Sequence, residues 1–553
     1  MKRVGRRTIL RGLVPVCAAT LLLSCLGTLA ARAQVQPMPT RHVREAVTKG
    51  QSAFLRRLPA TQTMKLNLAL PLRDQAGLTE LLAKLYDPQS PQFHQWLSVG
   101  EFTERFGPTQ QDYDAAIRYA EAHGLKVTGT SPNRMLVDVT GSVANVERAL
   151  HITLGEYQHP TENRTFFAPD REPMADLPVK LWHVTGLDNY SIPHPMSLSK
   201  VDEEAMPRTT GSGPSGAFIG SDFRAAYYGG TSLTGSGQSV GLLEFAGYNE
   251  ADVTHYFSQV HQTLTVSVVG VSTDGSSLSC TGSCDDTEQV LDIEASISMA
   301  PGMSQVRVYV SDTSDVSIFN KMATDNLAKN LSCSWGWSPA DPSSDDPIFK
   351  EMAAQGQNMF VASGDSGAYR TRSSDVYPAD DAFITSVGGT DLTTVSAGGA
   401  WKSETAWPDS GGGISPNRIA IPSYQTTSGV ITTANKGSKT LRNSPDVAAE
   451  ANTDNYICYD GTCASGWGGT SFAAPRWAGY LALVNQQSVS LGRGTVGFLN
   501  PTLYSIGLGS SHATNFHDIT SGSNGTYSCQ TGYDLVTGWG SPNTTGLINT
   551  LAP

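Results

Sequence analysis

The chain has 553 residues, more than one hydrophobic core usually serves, so two or more domains are expected. With 39% apolar and 8% aromatic residues, wholesale disorder is excluded. A formal net charge of −12 argues against a nucleic-acid partner and suits a protein that works in acid, where carboxylates become neutral.

Residues 1–33 read as an export signal. Lys2, Arg3, Arg6, Arg7 and Arg11 precede an apolar run from Leu13 to Leu29, and Ala31-Arg32-Ala33 places small residues where a signal peptidase reads. Arg6-Arg7 hints at twin-arginine export, and Leu22-Leu23-Ser24-Cys25 offers a lipoprotein alternative. The run is shorter than the ~20 residues a membrane span needs. The expected location is therefore the medium or the periplasm, where disulfides are possible. Six cysteines lie beyond the signal. "CTGSC" (280–284) and "CYDGTC" (458–463) are short loops that could each close on themselves. No spacing resembles a zinc site.

Residues 34–190 form a first unit. "MKLNLALPLRD" (64–74) alternates as a strand does, and "QAGLTELLAKLYD" (75–87) has helical spacing. "TQQDYDAAIRYAEAHG" (109–124) is a second amphipathic helix that ends at a glycine. "LKVTGTSPNRMLVDVTG" (125–141) reads as two strands around a turn, and "SVANVERALH" (142–151) as a helix. The mixture predicts a small α+β domain. Residues 191–216, "SIPHPMSLSKVDEEAMPRTTGSGPSG", lose all periodicity and read as a linker open to cleavage.

Residues 217–553 form the large domain. "SVGLLEFAG" (239–247), "SQVRVYV" (304–310), "NLSCSW" (330–335) and "QNMFVASGD" (357–365) are buried strands with helices between them, such as "DTEQVLDIEASISMA" (286–300). That alternation predicts an α/β fold with a covered parallel sheet, its sites at the carboxyl ends of strands.

"GGTSFAAPRWAG" (468–479) places Ser471 on a glycine turn before a helix. There it is either a nucleophile or an ordinary cap. The large domain has only four histidines, His255, His261, His512 and His517, and none has the setting of a Ser-His-Asp triad. A nucleophile here needs another base. Glu288 and Asp292 are one turn apart on a predicted helix and share a face. If exposed, they are a solvated acidic patch. If buried, two carboxylates ~4 Å apart repel by roughly 4 kcal/mol, and the pair holds a proton into a milder range. Asp365, in "VASGDSGA" (361–368), ends a strand. It is either a turn residue or, when protonated, a donor to an oxyanion.

Taken together, these segments resemble the sedolisins, or serine-carboxyl peptidases, in their kumamolisin-like form. The resemblance rests on "EQVLDIEASISMAPG" (288–302), "SCSWG" (332–336), "SGDSGA" (363–368), "YPADDAFITSVGGT" (377–390), "GGTSFAAP" (468–475), "FHDIT" (516–520) and "TGWGSP" (537–542). "LYDPQSPQFHQWLSVGEFTERFG" (85–107) resembles the family's activation domain. The resemblance implies a subtilisin-like catalytic domain behind a ferredoxin-like prodomain that keeps it latent. It implies Ser471 as nucleophile, Glu288 as general acid/base, Asp292 as its orienting partner and Asp365 as oxyanion donor. Glu244 and Trp335 match positions that extend the carboxylate network. It also implies one structural Ca2+ at Asp518, Ile519, Gly532 and Asp534, with Gln530 where relatives usually have glycine.

The expected protein is an exported acid endopeptidase made as a self-processing zymogen. It would be a monomer whose partners are peptide substrates and its own prodomain. The alternative is a secreted binding protein on the same fold with a dead site. An esterase is disfavoured, since Ser471 lacks a G-x-S-x-G elbow.

Overall fold

The computed structural model describes residues 36–196, 199–202, 209–282, 284–370 and 376–552. The export signal expected at 1–33 lies outside the described residues. In the N-terminal unit, β1 (Thr63–Ala69) leads into α1 (Gln75–Leu85) and α2 (Gln110–Ala122). A hairpin of β2 (Lys126–Thr130) and β3 (Leu136–Ser142) follows, then α3 (Val143–Leu150) and β4 (His183–Thr185). The sheet order is β2-β3-β1-β4, antiparallel throughout. That is the split βαβ arrangement of ferredoxin-like domains. Leu66, Leu68, Val137 and Val139 from the sheet meet Ala116, Val146 and Leu150 from the helices in one core.

The helices of this unit start where the sequence supplies caps. Thr109 accepts from Asp112 N, and Ser142 accepts from Asn145 N. A different face of the unit is apolar and docks on the large domain. Leu78, Leu81, Leu82 and Leu85 of α1 pack with Phe349, Met352 and Phe498. Buried polar contacts fix the register of this docking. Asn133 Nδ2 donates to Glu351 Oε2 and to Asn320 Oδ1, both at 2.7 Å.

The chain then passes through two short strands, β5 (His194–Pro195) and β6 (Ser199–Lys200), before the large domain. There, an eight-stranded sheet has the order β8 (Ser267–Ser272), β9 (Gln305–Val310), β7 (Ser239–Glu244), β10 (Asn330–Cys333), β12 (Asn358–Ala362), β13 (Thr385–Thr394), β14 (Trp401–Ala406). β15 (Val447–Glu450) also pairs with β13. All pairs are parallel except β13 with β14. Short β11 (Trp335–Gly336) follows β10, and a hairpin of β16 (Asn455–Tyr459) and β17 (Thr462–Gly468) precedes the long helix α5 (Thr470–Ser490). Disulfides close Cys280–Cys284 and Cys458–Cys463.

α4 (Thr287–Met299) and α5 pack together and lie in the interior. Every residue of α4 is buried, as is nearly all of α5 up to Asn485. A helix enclosed on all sides is usually apolar. α4 nevertheless carries Glu288, Asp292 and Glu294 inward, which forces their ionisation to be settled by protein groups rather than water.

Candidate active site

α5 begins after a turn that only glycine can make. Gly469 has φ 149° and ψ 152°, a region open essentially to glycine. A Cβ on Gly468 would lie 2.7 Å from the Asn452 backbone. The next two residues, Thr470 and Ser471, thus face the carboxyl end of the parallel sheet, and Ser471 is fully buried. Pro475 lies one turn later inside the helix. It has no N–H, so the Ser471 carbonyl loses its usual helical donor. The Ser334 Oγ lies 3.4 Å from that carbonyl, but its single proton goes to the nearer Asp292 Oδ1, 2.7 Å away. The Ser471 Oγ in turn donates to the Ser334 carbonyl at 3.4 Å.

Facing it are three buried carboxyl groups. Glu288 lies in the first turn of α4, Asp292 one turn on, and Glu244 at the end of β7. Burial pushes Glu288 well above the usual carboxylate range, and the nearby Asp292 charge adds to this, while the Ser471 hydroxyl favours the ionised form. Neither Glu288 oxygen meets the geometry of a hydrogen bond with a described residue, although the Ser471 and Ser334 hydroxyls both lie near enough to favour its ionised form. Asp292 Oδ1 accepts from Ser334 Oγ at 2.7 Å. Glu244 Oε2 accepts from the Trp335 indole at 2.9 Å. Asp292 Oδ2 and Glu244 Oε1 are buried with no hydrogen-bond partner among the described residues, and the two carboxyl groups lie close enough for each to perturb the other. Burial first, and then mutual or neighbouring charge, holds both well above their ordinary values.

Asp365 approaches from the turn after β12. Gly364, with φ 103°, lets the chain bend there. Asp365 Oδ1 accepts from Thr470 N at 2.8 Å and from Thr470 Oγ1 at 2.6 Å. Oδ2 is buried and has no partner among the described residues. Burial raises this carboxyl to about 7, against the pull of the Thr470 bonds. With Oδ1 saturated by donors, Oδ2 is the oxygen that carries the proton.

The linker runs between the two walls of this site. His194 pairs with Gly336 and Pro195 with Trp335 on one side; Ser199 pairs with Gly468 and Lys200 with Trp467 on the other. Met196 N donates to the Ser334 carbonyl at 3.0 Å, the same oxygen that receives the Ser471 hydroxyl. Val201 N donates to the Gly466 carbonyl at 2.9 Å. Two short pieces of the linker, which reads as patternless in sequence, are therefore strand-paired, one to each of the strands that flank Ser471.

Asp518, Ile519, Gly532 and Asp534 lie elsewhere, on two adjoining C-terminal loops. Gly532 N donates to Asp518 Oδ2 at 3.0 Å, which ties the loops together. Asp534 is buried, with Oδ1 accepting from Val536 N and Thr537 N and Oδ2 from Gln530 N.

Two residues of this cluster carry no role in the sequence reading. Ser334 bridges Asp292 to the Ser471 hydroxyl, and Thr470 holds Asp365. Both lie inside quoted motifs, "SCSWG" and "GGTSFAAP", but a hydroxyl's partner across the fold leaves no mark on local sequence.

Comparison with known proteins agrees with this fold. The family described as Pro-kumamolisin, activation domain, matches residues 50–190, and the Subtilase family matches residues 301–496. Kumamolisin from Bacillus sp. (strain MN-32) is 30% identical over 548 residues, covering 93% of this chain and 95% of that protein. Sedolisin from Pseudomonas sp. (strain 101) is 29% identical over 534 residues, covering 89% of this chain and 87% of that protein. The solved structure of Pseudomonas sedolisin, a serine-carboxyl proteinase complexed with two molecules of pseudo-iodotyrostatin, matches with a TM-score of 0.52 at 28% identity, over 60% of this chain and 96% of that one. A subtilisin-like parallel sheet, a docked activation domain and kumamolisin matched over almost its full length lead to one conclusion: the chain belongs to the sedolisin family of serine-carboxyl peptidases, in its kumamolisin-like form.

Proposed function

We propose that the chain is an exported, acid-active endopeptidase, synthesised as a zymogen that cuts its own linker. The observation that carries this reading is the main-chain pairing of residues 194–196 with the strand at Trp335–Gly336 and of residues 199–201 with the strand at Thr462–Gly468, the two strands that flank Ser471. A peptide held by its main chain in this way is presented as a substrate. Because the chain continues in both directions past the serine, the first bond to be cut lies inside a polypeptide, which is an endopeptidase's task.

In this reading Ser471 Oγ attacks the carbonyl carbon that follows Met196 N. Its proton passes to Glu288, whose carboxylate has the buried Asp292 and Glu244 beside it. The carbonyl oxygen gathers negative charge and accepts the proton-bearing Oδ2 of Asp365. Glu288 returns the proton to the leaving amine as the C–N bond breaks. Water then takes the serine's part: Glu288 removes its proton as it attacks the acyl ester and returns that proton to Ser471 Oγ as the acyl C–O bond breaks, which restores the starting state. Ser334 acts through Asp292 and the Ser471 hydroxyl as a positioning residue.

Exposing the purified full chain to acid and measuring the masses of its fragments tests the reading. The expected new N-terminus is Ser197, from a cut directly after Met196. A first cut on the far side of Lys200, or no cut, would overturn it.

The C-terminal loops fit a calcium ion. Their donors are all hard oxygens, from the Asp518 and Asp534 carboxylates and the Ile519 and Gly532 carbonyls. Neither carbonyl accepts a hydrogen bond from a described residue, although Ile519 is 2% exposed. Bound there, the ion would neutralise two carboxylates and cross-link the loops. An ion present at a hundred times its dissociation constant adds about 2.7 kcal/mol. A calcium chelator should therefore lower the melting temperature of the wild-type protein by several degrees. Asp518→Asn should start lower and respond much less. An unchanged melting curve after chelation would exclude the site.

A further inference from the structure

Among the described linker residues, Lys200 is the one whose side chain is held by an aromatic pair. Its main chain pairs opposite Trp467. Its ammonium donates to Tyr459 Oη at 2.7 Å and lies 5.3 Å from the Tyr459 ring centre and 5.1 Å from that of Trp467. The two rings meet edge to face, 5.0 Å apart at 82°. A cation within about 6 Å of an aromatic face is attracted by the ring quadrupole, most strongly by Trp.

The catalytic domain builds this corner without help from the linker. Trp467 is 9% exposed and packs with Leu291 of α4, Ile457 of β16 and Phe472 of α5. Leu291 precedes Asp292, and Phe472 follows Ser471, so the rings are fixed in position relative to the nucleophile. Tyr459 sits beside Cys458, whose disulfide to Cys463 closes the β16–β17 hairpin. Two rigid rings and one hydroxyl thus face the strand on which the leaving half of a peptide would lie.

We propose that Tyr459 and Trp467 form a subsite for a basic side chain on the leaving-group side of the substrate, four residues beyond the cut bond, which Lys200 fills in the zymogen. The proposal rests on the reading that Ser471 cuts after Met196. A lysine placed there combines main-chain pairing with a ring-face contact and a hydrogen bond to Tyr459 Oη. Norleucine keeps the stem but loses both polar contacts, and glutamate brings a negative charge to the ring faces. The contact is made before and during the reaction alike, so it acts on KM more than on kcat.

The test uses the acid-activated protein and quenched fluorescent peptides that differ only at the fourth residue after the intended bond. Mass spectrometry of the products establishes which bond is cut. With lysine there, kcat/KM should exceed that of the norleucine peptide by on the order of tenfold, the range expected of a partly desolvated cation–ring contact. Glutamate should be the poorest of the three. In Tyr459→Phe the lysine-to-norleucine ratio should shrink, and in Tyr459→Leu it should shrink further. Because each ratio is taken within one protein, a general loss of activity does not mimic the effect. Equal rates in the wild-type protein, or a ratio that survives Tyr459→Leu, would overturn the subsite while leaving the Ser471 reading intact. A cut at the intended bond that persists in Ser471→Ala would sink both.

Discussion

Ser471→Ala, purified as the full chain and held in acid, should remain a single uncut polypeptide while the wild-type protein separates into prodomain and catalytic fragments. Peptide hydrolysis by the variant should fall by about 10^4- to 10^6-fold, as when the nucleophile of a cooperating set is removed. The fold should survive. Ser471 Oγ makes one long contact, 3.4 Å to the Ser334 carbonyl, and the turn that presents it depends on Gly469 rather than on the hydroxyl. Intact-mass measurement with a melting curve on the same sample separates lost chemistry from lost structure. A variant that melts like the wild type and still yields the new N-terminus would mean that another group, or another protease, makes the cut. The mixed experiment is also informative. Active wild-type enzyme added to Ser471→Ala has to compete with a linker already seated in its own cleft, so cleavage of the variant in trans should be slow and concentration-dependent.

The second large effect concerns Asp365. Its carboxyl lies at about 7 because burial disfavours the anion. Below that pH it holds a proton and can donate from Oδ2. Above it the group is an anion, and in the proposed role, facing a developing oxyanion, its donation would turn to repulsion. On this basis kcat should fall roughly tenfold for each pH unit as pH rises beyond about 7. Asp365→Ala removes the donor at every pH and should cost about a hundred- to a thousandfold in kcat. Asp365→Asn keeps a non-titrating N–H in place of the O–H. It should be slower than wild type in acid, but its profile should lack the fall through neutrality. Profiles of kcat against pH for the three proteins decide the matter. If the Asn variant falls with the wild-type midpoint, Asp365 is not the group that sets it. The same shift has a linked effect on stability. A carboxyl raised from its usual value stabilises the fold fully below that usual value, near 4, and the contribution is lost as pH rises through 7.

Much of this architecture is legible in the sequence because it is local. Strand alternation, helix caps and the "GGTS" turn reflect short-range physics, and the helical spacing of Glu288 and Asp292 places both on one face. What the sequence hides is set by partners brought together across the fold. From spacing alone Asp292 belongs with Glu288. In the folded chain the carboxyl that perturbs it is Glu244, from a strand before the helix, with Ser334 donating to Oδ1. The interior position of α4 is equally hidden, since its polar residues suggest an exposed face. The linker is the clearest case. "SIPHPMSLSK" contains two prolines and no period, so nothing in it specifies a strand. The strands at His194–Pro195 and Ser199–Lys200 come from β11 and β17, which present hydrogen-bonding groups that these residues meet.

That pairing has a consequence once the prodomain leaves. β11 then becomes an open edge, and so does β17 once the new N-terminal segment carrying Ser199 and Lys200 lifts away, each with main-chain groups ready to bond any extended segment. Such edges read backbone geometry before side chains, so they admit chain that has come out of its own sheets and helices. Folded proteins whose edges are already paired should resist the mature enzyme, whereas proteins loosened by acid should be consumed. The acidity that protonates Asp365 would then also prepare the substrate, and the choice of what is digested would rest largely on which proteins unfold first.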